Sequence, residues 1–189
     1  MVTPYFTRLL MTSIKEIFRL GNGPSSSHTM GPKRAAELFL ERIKGSDVAS
    51  INVTLYGSLA ATGHGHLTDQ AILSVLTPHF PTNILWHGEI VLDYHPNGML
   101  FESFDTKGKV LDSWTVYSVG GGALYWDGKE EVKVNEIYDM CHISDIKEWC
   151  YAEGRTYWEY VELCEGPDIW DYLDEVWETM TQAINRGLN

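Results

Sequence analysis

Two short segments concentrate the side chains that could do chemistry. The first is Gly23-Pro24-Ser25-Ser26-Ser27-His28-Thr29-Met30-Gly31-Pro32, with three hydroxyls, an imidazole and a fourth hydroxyl directly before a helix-forming run. A helix start leaves N–H groups unpaired and favours anions, so hydroxyl donors beside it suit a carboxylate or phosphate cradle. There is no G-x-x-x-x-G-K and no lysine inside the loop, which excludes a nucleotide P-loop. The plainer reading is a Ser-rich connector in which one serine caps the helix. The second segment is Tyr56-Gly-Ser-Leu-Ala-Ala-Thr-Gly-His-Gly-His-Leu-Thr-Asp69. Here a strand runs through glycines toward a helix that Thr68 or Asp69 can cap, which places His66 at or near the helix N-terminus. The positive end of the helix dipole disfavours imidazolium and lowers a histidine's pKa. A histidine that is neutral near pH 7 is what proton abstraction requires. Metal binding by His64-x-His66 is the competing reading, and it is the weaker one because the two side chains of an extended stretch face opposite ways. A loop histidine bonded to backbone is the third.

Positioning these loops falls to the surrounding elements. Apolar spacing predicts a short helix within Met11–Leu20, a loop over Gly21–Thr29, and a helix over Met30–Lys44 with Pro32 in its first turn and Gly45 at its stop. Ser50–Tyr56 alternates as a half-buried strand, Gly57–Thr68 reads as a loop, and a helix through Ala71–Leu76 closes at Pro78 and Pro81. Three β-like runs follow, Glu89–Tyr94, Met99–Asp105 and Val110–Val119, joined by hairpin-like connectors and ending in Gly120-Gly121-Gly122. The order helix–strand–helix–three strands predicts an α+β, two-layer domain with a mixed, largely antiparallel sheet, helices on one face, and a helical C-terminal segment. Ser144–Glu153, a Thr156-x-x-Glu159 capping box and a long amphipathic run from Pro167 supply that segment. The long run carries Ile169, Trp170, Leu173, Val176, Trp177, Met180, Ala183 and Ile184 on one side. Such a stripe packs on this chain's own sheet or docks on another surface.

Charge divides the chain at the same place. Residues 1–120 hold 10 Asp+Glu and 9 Lys+Arg, whereas 121–189 hold 16 and 5, within a total net charge of −12. That excludes a general nucleic-acid binder, which needs clustered cations for phosphate. No apolar run is long enough to span a membrane, and the N-terminus lacks a secretory core. Three cysteines, Cys141, Cys150 and Cys164, fit reduced thiols rather than a disulfide frame, and no C-x-x-C pair suggests zinc. The expectation is a cytoplasmic protein.

The motifs GPSSSHTMGP, YGSLAATGHGHLTD and YSVGGG, in this order over residues 12–122, resemble the β region of the iron–sulfur-dependent L-serine dehydratases. The segment from Trp158 to Leu188 looks like the helical lead into that family's catalytic α region. The resemblance implies deamination of L-serine to pyruvate and ammonia with a [4Fe-4S] cluster and without pyridoxal phosphate. It implies His66 as the base that removes the Cα proton. It also implies a substrate-binding wall of Ser25, Ser26, Ser27, His28 and Thr29, with close backbone approach at Gly120 and Gly121. The family's cluster ligands lie in the α region, so no metal ligand is expected here, and Cys141, Cys150 and Cys164 do not match them. The partners implied are L-serine and an α region in cis or as a separate subunit, within a homo-oligomer. Position 64 is histidine where the family more often has lysine. The domains expected are an extension over 1–11, with Met11 as an alternative start, a β-type domain over 12–143 and an acidic helical segment over 144–189. Under the resemblance, at least part of the tryptophan stripe is built for a surface outside this chain. The alternative is a stand-alone serine-binding or regulatory module, which would need the serine loop but no base.

Overall fold

The computed structural model describes residues 11–128 and 136–188, so the extension expected over 1–11 lies, apart from Met11, outside the described residues. Two compact units form, one over Gly21–Glu130 and one from Met1–Leu20 together with Glu131–Asn189.

In the first unit a five-stranded sheet runs in the order β2-β1-β3-β4-β5, with β1 Ser50–Tyr56, β2 Thr82–His87, β3 Gly98–Phe104, β4 Val110–Gly120 and β5 Ala123–Tyr125. Only β1 and β2 are parallel; the other neighbours are antiparallel, as expected for a mixed, largely antiparallel sheet. Alternation along the strands sends Ile51, Val53, Leu55, Met99, Phe101, Trp114 and Val116 to one face. There they meet Ala35, Ala36 and Phe39 of α1 (Gly31–Arg42) and Ile72 and Leu76 of α3 (Thr68–Leu76). Phe39 lies against both Phe101 and Trp114, with ring centroids 5.2 and 6.3 Å apart, so a single aromatic knot joins helix to sheet.

Four local expectations are corrected. Ser26–Met30 is not loop but a π-helical turn that runs into α1, so the helical N-terminus sits at Ser25. Gly57–Thr62 is the short helix α2 rather than loop, too short to show a period in sequence. The strand expected at Glu89–Tyr94 is irregular, and the edge strand β2 lies just before it. Burial decides between these neighbours: Ile84 and Trp86 pack on the core, whereas Ile90 and Val91 are exposed despite their β propensity. Met11–Leu20, expected as a helix, forms only a 3₁₀ turn over Ile14–Glu16.

The second unit holds α4 Ile143–Glu153, α5 Tyr157–Glu165 and α6 Ile169–Leu188. Gly154 ends α4 in the left-handed conformation, and Thr156 with Glu159 forms the expected capping box. Tyr160 packs against Trp149 and Tyr138. The Glu165 carboxylate accepts hydrogen bonds from Ser13 Oγ (2.6 Å), Ile14 N (2.7 Å) and Tyr138 Oη (2.7 Å), which fastens the 3₁₀ turn to the end of α5. The stripe on α6 divides along its length. Ile169 and Val176 are buried, while Trp177 is 68% exposed and Leu188 80%, with Met180 and Ile184 exposed between them.

Candidate functional site

The serine-rich turn and the histidine loop, 30 to 40 residues apart in sequence, are tied together by two threonines that exchange hydrogen bonds. Thr29 Oγ1 donates to the carbonyl of His66 at 2.8 Å, and Thr68 Oγ1 donates to the carbonyl of His28 at 2.6 Å. Both threonines are out of water, at 3% and 0% exposure, so each bond forms where an unpaired carbonyl would be costly. The clasp brings the His28 and His66 rings to a centroid separation of 4.8 Å at a tilt of 41°. His28 and His66, which the resemblance gives separate roles, thus stand side by side.

Each remaining site residue has a definite place. Ser25 is the helix cap: its Oγ accepts the His28 N–H at 3.1 Å, while its own N–H donates to Thr29 Oγ1 at 3.2 Å. Ser26 is exposed, and its carbonyl accepts the Gly31 N–H. Ser27 Oγ lies 2.9 Å from His28 Nδ1. Thr29 spends its hydroxyl on the clasp. Gly120 ends β4 and Gly121 follows it, with φ of +110° and +56°, conformations that glycine adopts without strain. Strand β4 is in contact with the Ser26–Met30 turn. The approach is close: a Cβ built on Gly31 would lie 2.2 Å from Ser118 Oγ. His66 Nδ1 lies 3.0 Å from the Thr62 carbonyl, leaving Nε2 as the nitrogen without a protein partner among the described contacts.

The two histidines of the Gly63–His66 segment part company. His64 stacks on Trp86, centroids 3.9 Å apart, with Nδ1 3.6 Å from Asp69 Oδ2. His66 faces His28 instead. Burial lowers the His28 pKa below its ordinary 6.5, the neighbouring His66 lowers it further, and a backbone hydrogen bond with Ser58 opposes both. The surroundings of His28 thus favour its neutral imidazole.

Sequence reasoning missed Ser58. Its Oγ lies 3.1 Å from His28 Nε2, opposite the Ser27 contact. The turn that aims it depends on Gly57, whose φ is +49° and whose added Cβ would stand 2.5 Å from the Pro96 carbonyl oxygen. The Gly57 and Ser58 N–H groups donate to the carbonyls of Ile90 and Pro96, so the irregular 88–97 segment braces this turn. The only available signal was a Gly-Ser pair after a strand, too common to single out.

These features define an α+β domain that sets a paired-histidine, hydroxyl-rich site at the junction of a helix start and the ends of β1 and β4. The sequence profile of the serine dehydratase beta chain matches residues 13–84 and 75–129, and the chain belongs to that family. It is 32% identical to an L-serine dehydratase of Helicobacter pylori, over 94% of this chain and 49% of the relative. An L-serine dehydratase of Streptomyces coelicolor is 36% identical over 93% of this chain and 50% of its own length. One of Mycobacterium bovis is 37% identical over 83% and 40%. The chain spans about half the length of the curated relatives it matches.

Proposed function

We propose that this chain is the β part of an L-serine dehydratase that converts L-serine to pyruvate and ammonia, and that it does not turn over serine alone. The observation that carries the reading is the threonine clasp, which sets His66 against His28 beside the serine-rich helical turn in a member of this family. Ser26 and Ser27, with the unpaired N–H groups of that turn, receive the substrate carboxylate, and Gly120 and Gly121 leave room for the substrate backbone. His28 lines the same wall, while Ser25 and Thr29 hold its shape. His66 Nε2 takes the Cα proton; the C–H electron pair becomes the Cα–Cβ double bond as the Cβ–O bond breaks, and the hydroxyl departs with that bond's electron pair as hydroxide, which becomes water with the proton His66 gives up. The resulting aminoacrylate tautomerises to an imine that water hydrolyses to pyruvate and ammonia.

The resemblance implies a [4Fe-4S] cluster whose cysteine ligands lie in the α region. Among the described residues no group of three His, Cys, Asp or Glu could hold a metal ion. Cys141 is exposed, Cys150 is buried in α4, and Cys164 is half-buried in α5 with its thiol pKa raised by burial. Following the resemblance, we assign the cluster to the other half of the complete enzyme, and to this chain binding and proton transfer. The exposed end of the α6 stripe, Trp177 to Leu188, is the surface we assign to that half. No helix among the described residues is long and apolar enough to cross a membrane, in keeping with the cytoplasmic assignment we propose. The test is turnover by the chain completed with its missing half, in wild-type and His66→Ala forms. Loss of pyruvate formation with L-serine still bound supports the reading; a fully active His66→Ala enzyme overturns it, and a chain that lacks the base requirement would be a binding module instead.

A further inference from the structure

We propose that Asn97 is a positioning residue: its side-chain amide takes the place of its own backbone N–H in the sheet and so holds the glycine end of β4 against the turn that meets His28. The inference rests on the reading of this site as one that binds L-serine. The pairing of β3 with β4 sets Gly98 opposite Tyr117, which puts Asn97 opposite Ser118. An antiparallel hydrogen-bonded pair exchanges two backbone bonds. One is made here: the Ser118 N–H donates to the Asn97 carbonyl at 3.0 Å. The other would need the Asn97 N–H, which donates instead to His95 Nδ1 at 3.1 Å. Asn97 Nδ2 fills the gap and donates to the Ser118 carbonyl at 3.2 Å. Each donor and acceptor is fixed by chemistry, because a backbone N–H can only donate and a carbonyl can only accept. The same rule leaves the lone pair of a neutral His95 ring on Nδ1 and its proton on Nε2.

The place of this bond ties it to the site. Asn97 is buried, so a carbonyl beside it that lacks a donor is costly. Its neighbour Pro96 accepts the Ser58 N–H at 3.0 Å, and Ser58 Oγ lies 3.1 Å from His28 Nε2. On the other side, Ser118 stands two residues before Gly120 and packs under the start of α1, against Gly31. These contacts close a circuit from Ser118 through Asn97, Pro96, Ser58 and His28, along the helical turn to Gly31 and back to Ser118. Without the amide, Ser118 keeps a single bond to Asn97, and the end of β4 can pivot about it, moving Gly120 and Gly121 relative to His28. Asn97 acts through Ser118 and Pro96 rather than by touching substrate.

Two measurements use the full chain and need neither substrate nor the missing half. ¹⁵N NMR of the wild type should show the neutral His95 ring protonated at Nε2; a ring averaged or protonated at Nδ1 overturns the proposal without any variant. In urea titrations, Asn97→Ala should raise the unfolding equilibrium constant about tenfold or more. Asn97→Asp, which keeps the shape but when ionised offers the Ser118 carbonyl no donor, should do the same. In a His95→Ala background the Asn97 N–H is free to return to the ladder, so Asn97→Ala should there cost only about threefold or less. No effect of Asn97→Ala, or an equal effect in both backgrounds, overturns the stand-in role. In the completed enzyme both Asn97 variants should raise KM for L-serine about fivefold, and by more than they lower kcat. A fall in kcat with KM unchanged would mark lost folded enzyme and overturn the positioning role. The dehydratase reading fails separately, if His66→Ala keeps its turnover, and the two measurements on the full chain do not depend on it.

Discussion

Replacing Thr68 with valine tests the clasp on which the site depends. The substitution preserves shape and removes one hydroxyl that is fully buried and donates to the His28 carbonyl at 2.6 Å. The carbonyl then loses that donor in a part-buried setting, a loss of about 1–3 kcal/mol. Valine adds a methyl in exchange and offsets little of this, so we expect a net destabilisation of about 1–2 kcal/mol. For a unit the size of Gly21–Glu130 that lowers Tm by about 4–8 °C per kcal/mol, well within the range of a thermal melt followed by circular dichroism. Thr29→Val should cost at least as much, since it removes both the bond to the His66 carbonyl and the acceptor for the Ser25 N–H. Because the two threonines pin the same pair of loops, the double variant should lose less than the sum of the singles, with an interaction of at least about 0.5 kcal/mol. The same samples should show ring-to-ring nuclear Overhauser effects between His28 and His66 weakening in step. Strict additivity, or Thr68→Val with wild-type stability and undiminished ring contact, would refute the claim that these bonds place the histidines.

Three further outcomes follow from individual residues. His28 has a folded pKa below its ordinary 6.5, so as pH falls the unfolded chain takes up the proton first. Its stabilising contribution is therefore complete above about pH 6.5 and is lost as pH drops through the folded value; His28→Gln should flatten that part of the stability–pH curve in urea titrations. Gly57→Ala places a Cβ 2.5 Å from the Pro96 carbonyl oxygen at a φ of +49° and should destabilise by about 2 kcal/mol or more, read as a lower denaturation midpoint. Burial pushes the Glu165 pKa up, but the hydrogen bonds from Ser13, Tyr138 and Ile14 prevail and hold it low. Glu165→Gln should therefore destabilise the helical unit by about 1–2 kcal/mol at neutral pH, with the difference shrinking as acid protonates the wild-type carboxylate.

Much of this architecture is legible in residue order. The alternation of Ile51, Val53 and Leu55 marks β1 because one face is buried and the other is not, and the Thr156–Glu159 capping box needs only local hydrogen bonds. Elements whose form depends on distant partners were not legible. β2 is an edge strand whose Ile84, Leu85 and Trp86 read as a continuous apolar run, so its register is set by pairing with β1. Ile90 has a strand-like side chain, yet its carbonyl is committed to bracing Gly57. At the site, the hydroxyl-rich turn and His66 stood out by residue type. The pairing of the two histidines depends on Thr29 and Thr68 reaching across 37 and 40 positions, and Ser58 meets His28 across 30, which no local pattern encodes.

The central claim is that His66 removes the Cα proton, and chemical rescue addresses it most directly. Pyruvate formation from L-serine should be measured for the completed enzyme with His66→Ala, with and without added imidazole. Turnover is expected to fall about 100-fold or more in the variant and to be partly restored by imidazole, with little change in L-serine binding. Turnover within a few-fold of wild type and indifferent to imidazole would contradict it.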